Sequence, residues 1–195
     1  MTFNTILFSS ANSKWHTPPE LVAEIKAVYP IDLDLCASES NVCERYYNEE
    51  QDGLTSPWDG WNMFYNHPYS TEDNKLWATA VNDWATNKRL PHQNLLGLIP
   101  NRAGARWYKK MVPTCTCYGT VKGRIPFGSD AYWQWRWDTP EIDGKPNHMY
   151  GKHGKKQSAT FDSTFVFWGD MYPQLWDFLI KKCEFISVVT KSWDR

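Results

Sequence analysis

The sequence predicts an α/β fold in which helices cover a largely parallel sheet. Apolar segments of strand length alternate along the chain with segments whose apolar residues recur at helical spacing, an order typical of βαβ units. Two polar loops, 36–38 and 66–70, follow predicted strands. Because ligands of such sheets bind beyond the carboxyl ends of the strands, we expect both loops to open on one functional edge.

The first helix is predicted within 17–30. Thr17 is a candidate N-cap, Glu20 three residues later completes a capping box, and Pro18 suits a first turn. Pro30 ends the helix. Its apolar residues recur at helical spacing: Leu21, Ile25 and Val28.

The first strand is predicted at 31–35, where apolar and acidic residues alternate. The polar segment 39–62 has no clear periodicity, although 43–54 includes a candidate short helix and Asp52-Gly53 is a typical turn dipeptide. The apolar run 63–65 predicts the second strand.

The second helix is predicted to begin at Ser70, directly after that strand. Ser70 and Asp73 form another capping box. The helix has one apolar stripe: Leu76, Trp77, Ala80, Val81 and Trp84.

The rest of the chain continues the alternation. Further strands are predicted at 95–100, 114–119, 123–127, 164–169 and 185–190, and further helices at 103–112 and 172–183. We therefore expect one domain over 1–195, with a long excursion at 128–160 between two of its strands.

Composition sets limits on the partners. The net charge of −1 provides no overall field for a polyanion, so a nucleic acid would need a local basic patch. The chain has 12 Trp, 10 Tyr and 9 Phe. We expect most of these rings in the core and some stacked on flat ligands such as bases.

The cysteines and the amino-terminal segment indicate a reducing, cytosolic compartment. Five cysteines are an odd number without a CxxC pair, and the Cys115-Thr116-Cys117 spacing matches no common zinc pattern, so we expect neither a disulfide framework nor a metal. No apolar run has the length of a signal peptide core or a membrane span.

The turn Asn66-His67-Pro68-Tyr69 has the groups needed to activate a planar amine. The lone pair of such a nitrogen is delocalised, and an amide oxygen with a nearby carbonyl can accept its two N–H groups and direct the lone pair. Proline fixes the turn, and the next ring can stack on a base that has left the duplex. A plain turn is the alternative, but the position between a strand and a capped helix favours a site.

Seven segments occur in an order that matches a known family: WHTPPEL (15–21), DLDLCAS (32–38), CERYY (43–47) with DGL (52–54), NHPYS (66–70), LIPNRAGARWY (98–108), GRIPF (123–127) and FDSTFVFWG (161–169). In this order, over most of its length, the chain resembles the phage-type DNA N6-adenine methyltransferases, the Dam-like proteins of phages and prophages.

The resemblance implies a Rossmann-like, class I S-adenosylmethionine-dependent methyltransferase fold. It implies methyl transfer from S-adenosylmethionine to the N6 amine of adenine in double-stranded DNA, after base flipping at the turn 66–69. It also implies a phage or prophage protein that acts in the bacterial cytoplasm, where methylation can evade restriction.

Carried over by position, the resemblance places a set of residues at the donor: Trp15, Thr17, Pro18, Asp34, Cys36, Ala37 and Asp52. The carboxylate of Asp34 also suits the cationic amino group of the donor on charge grounds. A solvated strand end is the alternative for Asp34, and an Asp-Gly turn is the alternative for Asp52.

Two features depart from the family pattern. The segment between Leu35 and Asn66 is short for the two crossover connections of a full methyltransferase sheet, so we expect an abridged fold. His67 stands where the family has the first proline of a pair. Its carbonyl is retained, Pro68 keeps it extended, and its imidazole could reach a phosphate or the base and titrate near neutral pH.

The excursion at 128–160 is both Trp-rich and basic. Trp133, Trp135 and Trp137 alternate with other residues, and the acid-free segment 145–156 follows. We expect either DNA contact or a solvated loop over a Trp-rich hairpin. The candidate phosphate ligands are Lys152, Lys155 and Lys156, with Arg102 and Arg106 as further candidates.

Three functions are compatible with these features. The first is an active DNA adenine methyltransferase. The second is a weakened relative that binds S-adenosylmethionine or DNA and acts by occupancy. The third is a transferase for another amine, such as a cytosine N4 or a protein glutamine. His67 bears on the choice between the first two, and the basic segment favours nucleic acid over protein.

Overall fold

The computed structural model describes residues 16–37, 41–142 and 144–189. Its strands are β1 (Leu33–Asp34), β2 (Asn62–Tyr65), β3 (Asn94–Pro100), β4 (Cys117–Val121), β5 (Glu141–Ile142), β6 (Lys145–Pro146), β7 (Ser163–Trp168) and β8 (Cys183–Val188). Its α-helices are α1 (Pro19–Lys26), α2 (Thr71–Asp83), α3 (Arg106–Met111), α4 (Asp130–Asp138) and α5 (Pro173–Lys182). The α/β class predicted from the sequence is confirmed.

The six-stranded sheet has the order β1-β2-β3-β7-β4-β8. Strands β1, β2 and β3 are parallel, whereas β7 is antiparallel to both β3 and β4, and β8 is antiparallel to β4. The sheet is therefore mixed rather than largely parallel. The connection from β3 to β4 skips the position of β7, and the connection from β7 to β8 skips that of β4. The two connections are interleaved, and both move towards the β8 edge of the sheet.

Both faces of the sheet are buried. Successive residues of β2 alternate between two cores, with Phe64 facing one and Met63 and Tyr65 facing the other. Helices α1 and α5 cover the first face through residues such as Ile25 and Leu175, and α2 and α3 cover the second. Most of the aromatic residues that the structure describes lie in or against these cores, as expected.

The two predicted capping boxes differ in outcome. At α2 the hydroxyl of Ser70 accepts from the amide of Asp73 at 3.0 Å, so the predicted cap is confirmed. The carboxylate of Asp73 accepts from the Ser70 hydroxyl in return. At α1 the box is wrong, because Pro18 is the N-cap residue and makes no side-chain capping bond. The buried Thr17 instead accepts a hydrogen bond from a residue 49 positions away, Asn66.

The candidate short helix within 43–54 is also wrong. The backbone of 45–47 runs beside the end of β1, where the amide of Asp34 donates to Arg45 O and the amide of Tyr47 donates to Asp34 O. This extended pairing satisfies backbone groups that a helix would otherwise use. The segment then turns at Asp52, which has a φ of 48°, and returns to the sheet.

The excursion contains a helix rather than a Trp-rich hairpin. Ser129 caps α4 by accepting from the amide of Tyr132 at 3.2 Å, and Trp133 is buried beneath the helix. The alternating Trp residues therefore do not mark a strand. The strand predicted at 123–127 is absent from the described residues, since Pro126 has no amide donor for a ladder and Gly123 has a φ of 68°.

Some further features concern the described residues alone. None of their helices is long and apolar enough to cross a membrane. All five cysteines lie in this part of the chain, and none forms a disulfide there. The same residues hold no group of three His, Cys, Asp or Glu side chains that could bind a metal ion.

Candidate active site

The carboxyl ends of β1, β2 and β3 lie along one edge of the sheet, because these strands are parallel. Asn66 directly follows β2, and Thr17 lies just before α1. The side-chain amide nitrogen of Asn66 donates to the hydroxyl of Thr17 at 2.9 Å. The structure thus brings together a predicted catalytic residue and a predicted donor-site residue.

The amide oxygen of Asn66 has a different partner. The hydroxyl of Tyr69 donates to it at 2.6 Å, with Leu98 O at 3.2 Å as a second acceptor. Because the nitrogen faces Thr17, the oxygen of Asn66 is left as an acceptor for N–H or O–H donors. Burial raises the pKa of Tyr69 well above its usual range, so this hydroxyl remains a proton donor.

The ring of Tyr69 is surrounded by aromatic side chains. It meets Phe127 edge-on at 5.9 Å and Phe161 at 5.5 Å between ring centroids. The guanidinium carbon of Arg102 lies 5.6 Å from the Phe161 centroid. Both phenylalanines lie in segments that carry the family resemblance, but sequence reasoning assigned neither of them to the site. Single apolar residues in irregular segments have no periodicity to reveal such a contact.

His67 points inward instead of towards solvent. Its side chain is 2% exposed, and its Nε2 lies 3.0 Å from Oδ1 of Asn74. The imidazole stacks on Tyr65 at 5.7 Å and on Trp77 at 5.9 Å. Burial lowers its pKa to about 4. The expectation that this imidazole reaches a phosphate or base and titrates near neutral pH is therefore wrong.

The network also determines the tautomer of His67. The side-chain nitrogen of Asn74 donates to the carbonyls of Tyr69 at 3.0 Å and Ser70 at 2.6 Å. The oxygen of Asn74 therefore faces His67, so Nε2 of the imidazole carries the proton and donates. Nδ1 then has a buried lone pair with no hydrogen-bond partner among the described residues.

On the donor side, Asp34 is a buried carboxylate rather than a solvated strand end. It is 3% exposed, and its two oxygens accept from the amides of Cys36 at 3.0 Å and Val42 at 3.3 Å. Burial raises its pKa to about 6, against the opposing effect of these two amides. No basic side chain forms an ion pair with it in the described part of the chain.

The other predicted donor residues differ in position. Pro18, which follows Thr17 in the chain, is buried. Shortly after Asp34, Cys36 is half-buried and Ala37 is buried. Asp52 is exposed, and its carboxylate accepts from the amide of Leu54 at 3.0 Å within its own turn. This geometry supports the turn alternative for Asp52. Trp15 lies outside the described residues.

The predicted DNA-binding lysines are not equivalent. Lys152 and Lys155 are exposed. Lys156 is half-buried and pairs with Glu20 at 2.8 Å and Asp130 at 3.4 Å. The hydrogen bond from Lys156 lowers the pKa of Glu20 and raises that of the lysine. Lys156 therefore joins α1 to α4, and these two ion pairs compete with the role of phosphate ligand predicted for it.

The basic segment is folded against α4. The indole nitrogen of Trp137 donates to Lys155 O at 2.8 Å, and the amide of Gly151 donates to Trp137 O at 2.9 Å. His153 lies 3.7 Å from the carboxylate of Asp138. These contacts place Lys152 and Lys155 on an anchored surface rather than on a free loop.

A second group of cations lies at α3. Arg102 follows β3 at the edge that carries Asn66, and Arg106, Lys109 and Lys110 follow on the short helix. All four side chains are exposed, and the described residues include no acidic ion-pair partner for any of them. Segment 101–129 contains no Asp or Glu. Among the described residues this surface is therefore basic and has no neutralising carboxylate.

The fold and site together define a class of protein. At the carboxyl edge of an α/β sheet, an oriented amide oxygen, an aromatic ring and a buried carboxylate lie on neighbouring segments, an arrangement suited to transferring a group to a planar amine. The chain belongs to the DNA N-6-adenine-methyltransferase (Dam) family, whose model matches residues 5–170. The resemblance inferred from the sequence motifs is confirmed.

The chain is also similar to a curated protein with the same family name. The DNA N-6-adenine-methyltransferase of Escherichia phage T1 is 43% identical over 63 residues, which are 30% of this chain and 26% of that protein. The chain thus matches about a quarter of the length of this relative.

Proposed function

We propose that the chain transfers a methyl group from S-adenosylmethionine to the N6 amine of adenine in double-stranded DNA. The observation that carries this proposal is the oriented amide oxygen of Asn66, held beside Tyr69 at the carboxyl end of β2 in a chain of this family. The T1 relative, a phage protein, supports action in an infected bacterial cell.

The acceptor amine would bind to two oxygens of the turn. We assign one N–H to the side-chain oxygen of Asn66 and the other to the backbone carbonyl of His67. Because the hydroxyl of Tyr69 now donates to the Asn66 oxygen, the arriving amine takes its place, and the ring of Tyr69 then stacks on the flipped base. Pro68 restricts residue 67 to extended conformations and so directs its carbonyl.

The donor would lie beside Asp34. A buried carboxylate without a basic partner among the described residues is costly, and the cationic amino group of the donor would compensate it. The residues that we assign to the donor are Trp15, Thr17, Pro18, Asp34, Cys36 and Ala37, with a weaker assignment for Asp52. The sulfonium of S-adenosylmethionine supplies an electrophilic methyl group when it is bound.

Donor affinity should depend on the charge of Asp34. As pH rises from about 5 to about 7, this carboxyl loses its proton, while the amino group of the donor stays charged. A cation that binds the carboxylate lowers its pKa, so binding releases protons and affinity rises with pH across this range. We expect calorimetry to show this rise for the native chain.

Asp34→Asn should weaken donor binding about tenfold at neutral pH and remove the rise in affinity. Asp32→Asn is the matched control, because Asp32 also accepts from two backbone amides but precedes β1. An unchanged pH dependence in Asp34→Asn would separate this carboxyl from the donor.

DNA would be held by two basic surfaces. The first consists of four residues on and just before α3: Arg102, Arg106, Lys109 and Lys110. The second consists of Lys152 and Lys155, on the segment that folds against α4. Both are exposed, and Arg102 contacts the Phe161 ring that borders Tyr69. Backbone phosphates are the groups that such cations recognise without regard to sequence.

Removing these charges should change the salt dependence of DNA binding. Replacing Arg106, Lys109 and Lys110 with Ala should weaken binding and reduce the slope of log K against log salt by about one for each phosphate that is no longer neutralised. Lys152→Ala with Lys155→Ala should act in the same direction. Lys26→Ala, at the far end of α1, serves as the control, and titrations at several salt concentrations provide the slopes. A slope equal to that of the native chain would assign the replaced surface to solvent.

The proposed reaction is tested with purified protein and S-adenosylmethionine carrying a labelled methyl group. Duplex DNA is the acceptor, and the label is followed into separated nucleosides. We expect N6-methyladenine. Label in N4-methylcytosine or in protein would indicate transfer to another amine, and donor binding without transfer would indicate a protein that acts by occupancy.

A further inference from the structure

His67 and Asn74 form a buried polar pair beneath the turn 66–70. The two side chains are 2% and 5% exposed and meet through the 3.0 Å hydrogen bond described above. The other end of the Asn74 side chain donates to the carbonyls of Tyr69 and Ser70. A single amide on the first turn of α2 thus holds three residues of the turn.

The imidazole is fixed by packing as well as by hydrogen bonding. It lies at an interplanar angle of 19° to Tyr65 and 24° to Trp77, and it meets the ring of Tyr69 edge-on at 5.6 Å. Trp77 belongs to α2 and Tyr65 to β2. The ring of His67 therefore joins the strand that precedes the turn to the helix that follows it.

These contacts explain how a histidine can stand at position 67, where the family pattern has a proline that would restrict the backbone covalently. Proline fixes φ by its ring, whereas His67 has no such constraint and its rotation is limited by its contacts. Burying a polar ring costs free energy unless its groups are bonded, so the pair with Asn74 makes this solution stable. Burial also keeps the imidazole neutral, which removes a charge from beside the reacting amine.

We propose that Asn74 and His67 are positioning residues that hold the Asn66–Tyr69 turn in the geometry required for transfer. Neither side chain touches the acceptor base, and each acts through the backbone of the turn. This role rests on the proposed methyltransferase function, but the physical coupling between the two side chains does not.

The coupling is tested first, without any activity measurement. His67→Leu, Asn74→Leu and the double variant form a cycle whose unfolding equilibria are measured in denaturant. Each single change leaves a buried partner unsatisfied, so the double variant should be less destabilised than the sum of the two. We expect a coupling of about tenfold in the unfolding constant. Additive effects would overturn the inference, even in a chain that transfers no methyl group.

The positioning role is tested by kinetics. Asn74→Leu and His67→Leu should lower kcat about 10- to 100-fold, with little change in donor affinity or in KM for DNA. His67→Gln should retain kcat within about threefold, because an amide nitrogen at the end of its side chain can donate to Asn74 in place of Nε2.

Two further variants complete the design. Asn74→Asp preserves the shape of the side chain but cannot donate to the carbonyls of Tyr69 and Ser70, so it should also lower kcat. It takes the place of Asn74→Leu in the kinetic test if that variant does not fold. Asn82→Leu, further along α2, is the control with native kcat. If His67→Leu and Asn74→Asp both keep native kcat in a folded, active protein, the pair does not position the turn.

Discussion

Asn66→Ala is expected to reduce methyl transfer by at least about 10²–10³-fold, the effect of losing one oriented hydrogen-bonding group for charge that develops in a transition state. The variant loses the oxygen that would accept an N–H of the amine, together with the bond to Thr17. In our proposal the donor is bound by residues other than Asn66. Single-turnover measurements should therefore show slow chemistry, while calorimetry shows donor binding.

Two controls separate the two ends of the Asn66 side chain. Asn66→Asp retains an acceptor oxygen but loses the donor to Thr17. Thr17→Val removes the same bond from the other side and leaves the amide intact. Both should be less impaired than Asn66→Ala. Activity within a few-fold of native in Asn66→Ala would exclude this side chain as the group that activates the amine.

Tyr69→Ala is expected to have the second-largest effect. Stacking of a base on an aromatic side chain contributes about 1–3 kcal/mol, so loss of the ring should lower kcat/KM for DNA about 10- to 100-fold. The ring also fills space between Phe127 and Phe161, so the variant should be less stable as well. A fluorescent base analogue at the target position would report reduced flipping.

Tyr69→Phe is the informative comparison. It keeps the ring and removes only the hydroxyl that donates to the Asn66 oxygen. In the proposed mechanism the arriving amine displaces that hydroxyl, so its loss should cost the transition state little, and we expect kcat/KM within about fivefold of native. A loss as large as that of Tyr69→Ala would assign the catalytic role to the hydroxyl rather than to the ring.

Elements specified by local sequence could be predicted. The capping box at Ser70 and Asp73 lies within one turn of α2 and has no competing partner, so its pattern predicts its structure. The short apolar run of β7, which is buried along its whole length, and the amphipathic α5 were also predictable, since their local apolar patterns report burial directly. The motif order identified the family through residues that are distributed over most of the chain.

Features that depend on distant partners could not be predicted. Thr17 has the sequence of a helix cap, but Asn66 binds its hydroxyl. Residues 45–47 pair with the end of β1 instead of forming a helix. Similarly, the interleaved crossovers at β4 and β7 leave no trace in the alternation of strands and helices. In each case a contact between residues far apart in sequence overrides the local preference.

In the candidate site, too, some features were predictable from the sequence and others depended on distant partners. Sequence order placed Asn66, Tyr69 and Asp34 on one edge of the sheet, where the structure has them. It could not show that His67 turns inward, because a histidine after a strand suits solvent and core equally well. The partner that decides this is Asn74, a polar residue on the inner face of α2, where burial is visible only in three dimensions.

The most direct test of the central claim uses DNA from cells that express the chain in a host lacking adenine methylation. Nucleoside analysis by mass spectrometry, together with digestion by methylation-sensitive nucleases, measures N6-methyladenine. We expect this base in DNA from cells with the native chain and its absence from cells with equal amounts of folded Asn66→Ala. DNA without N6-methyladenine in the presence of folded native protein, or equal methylation with Asn66→Ala, would contradict the claim.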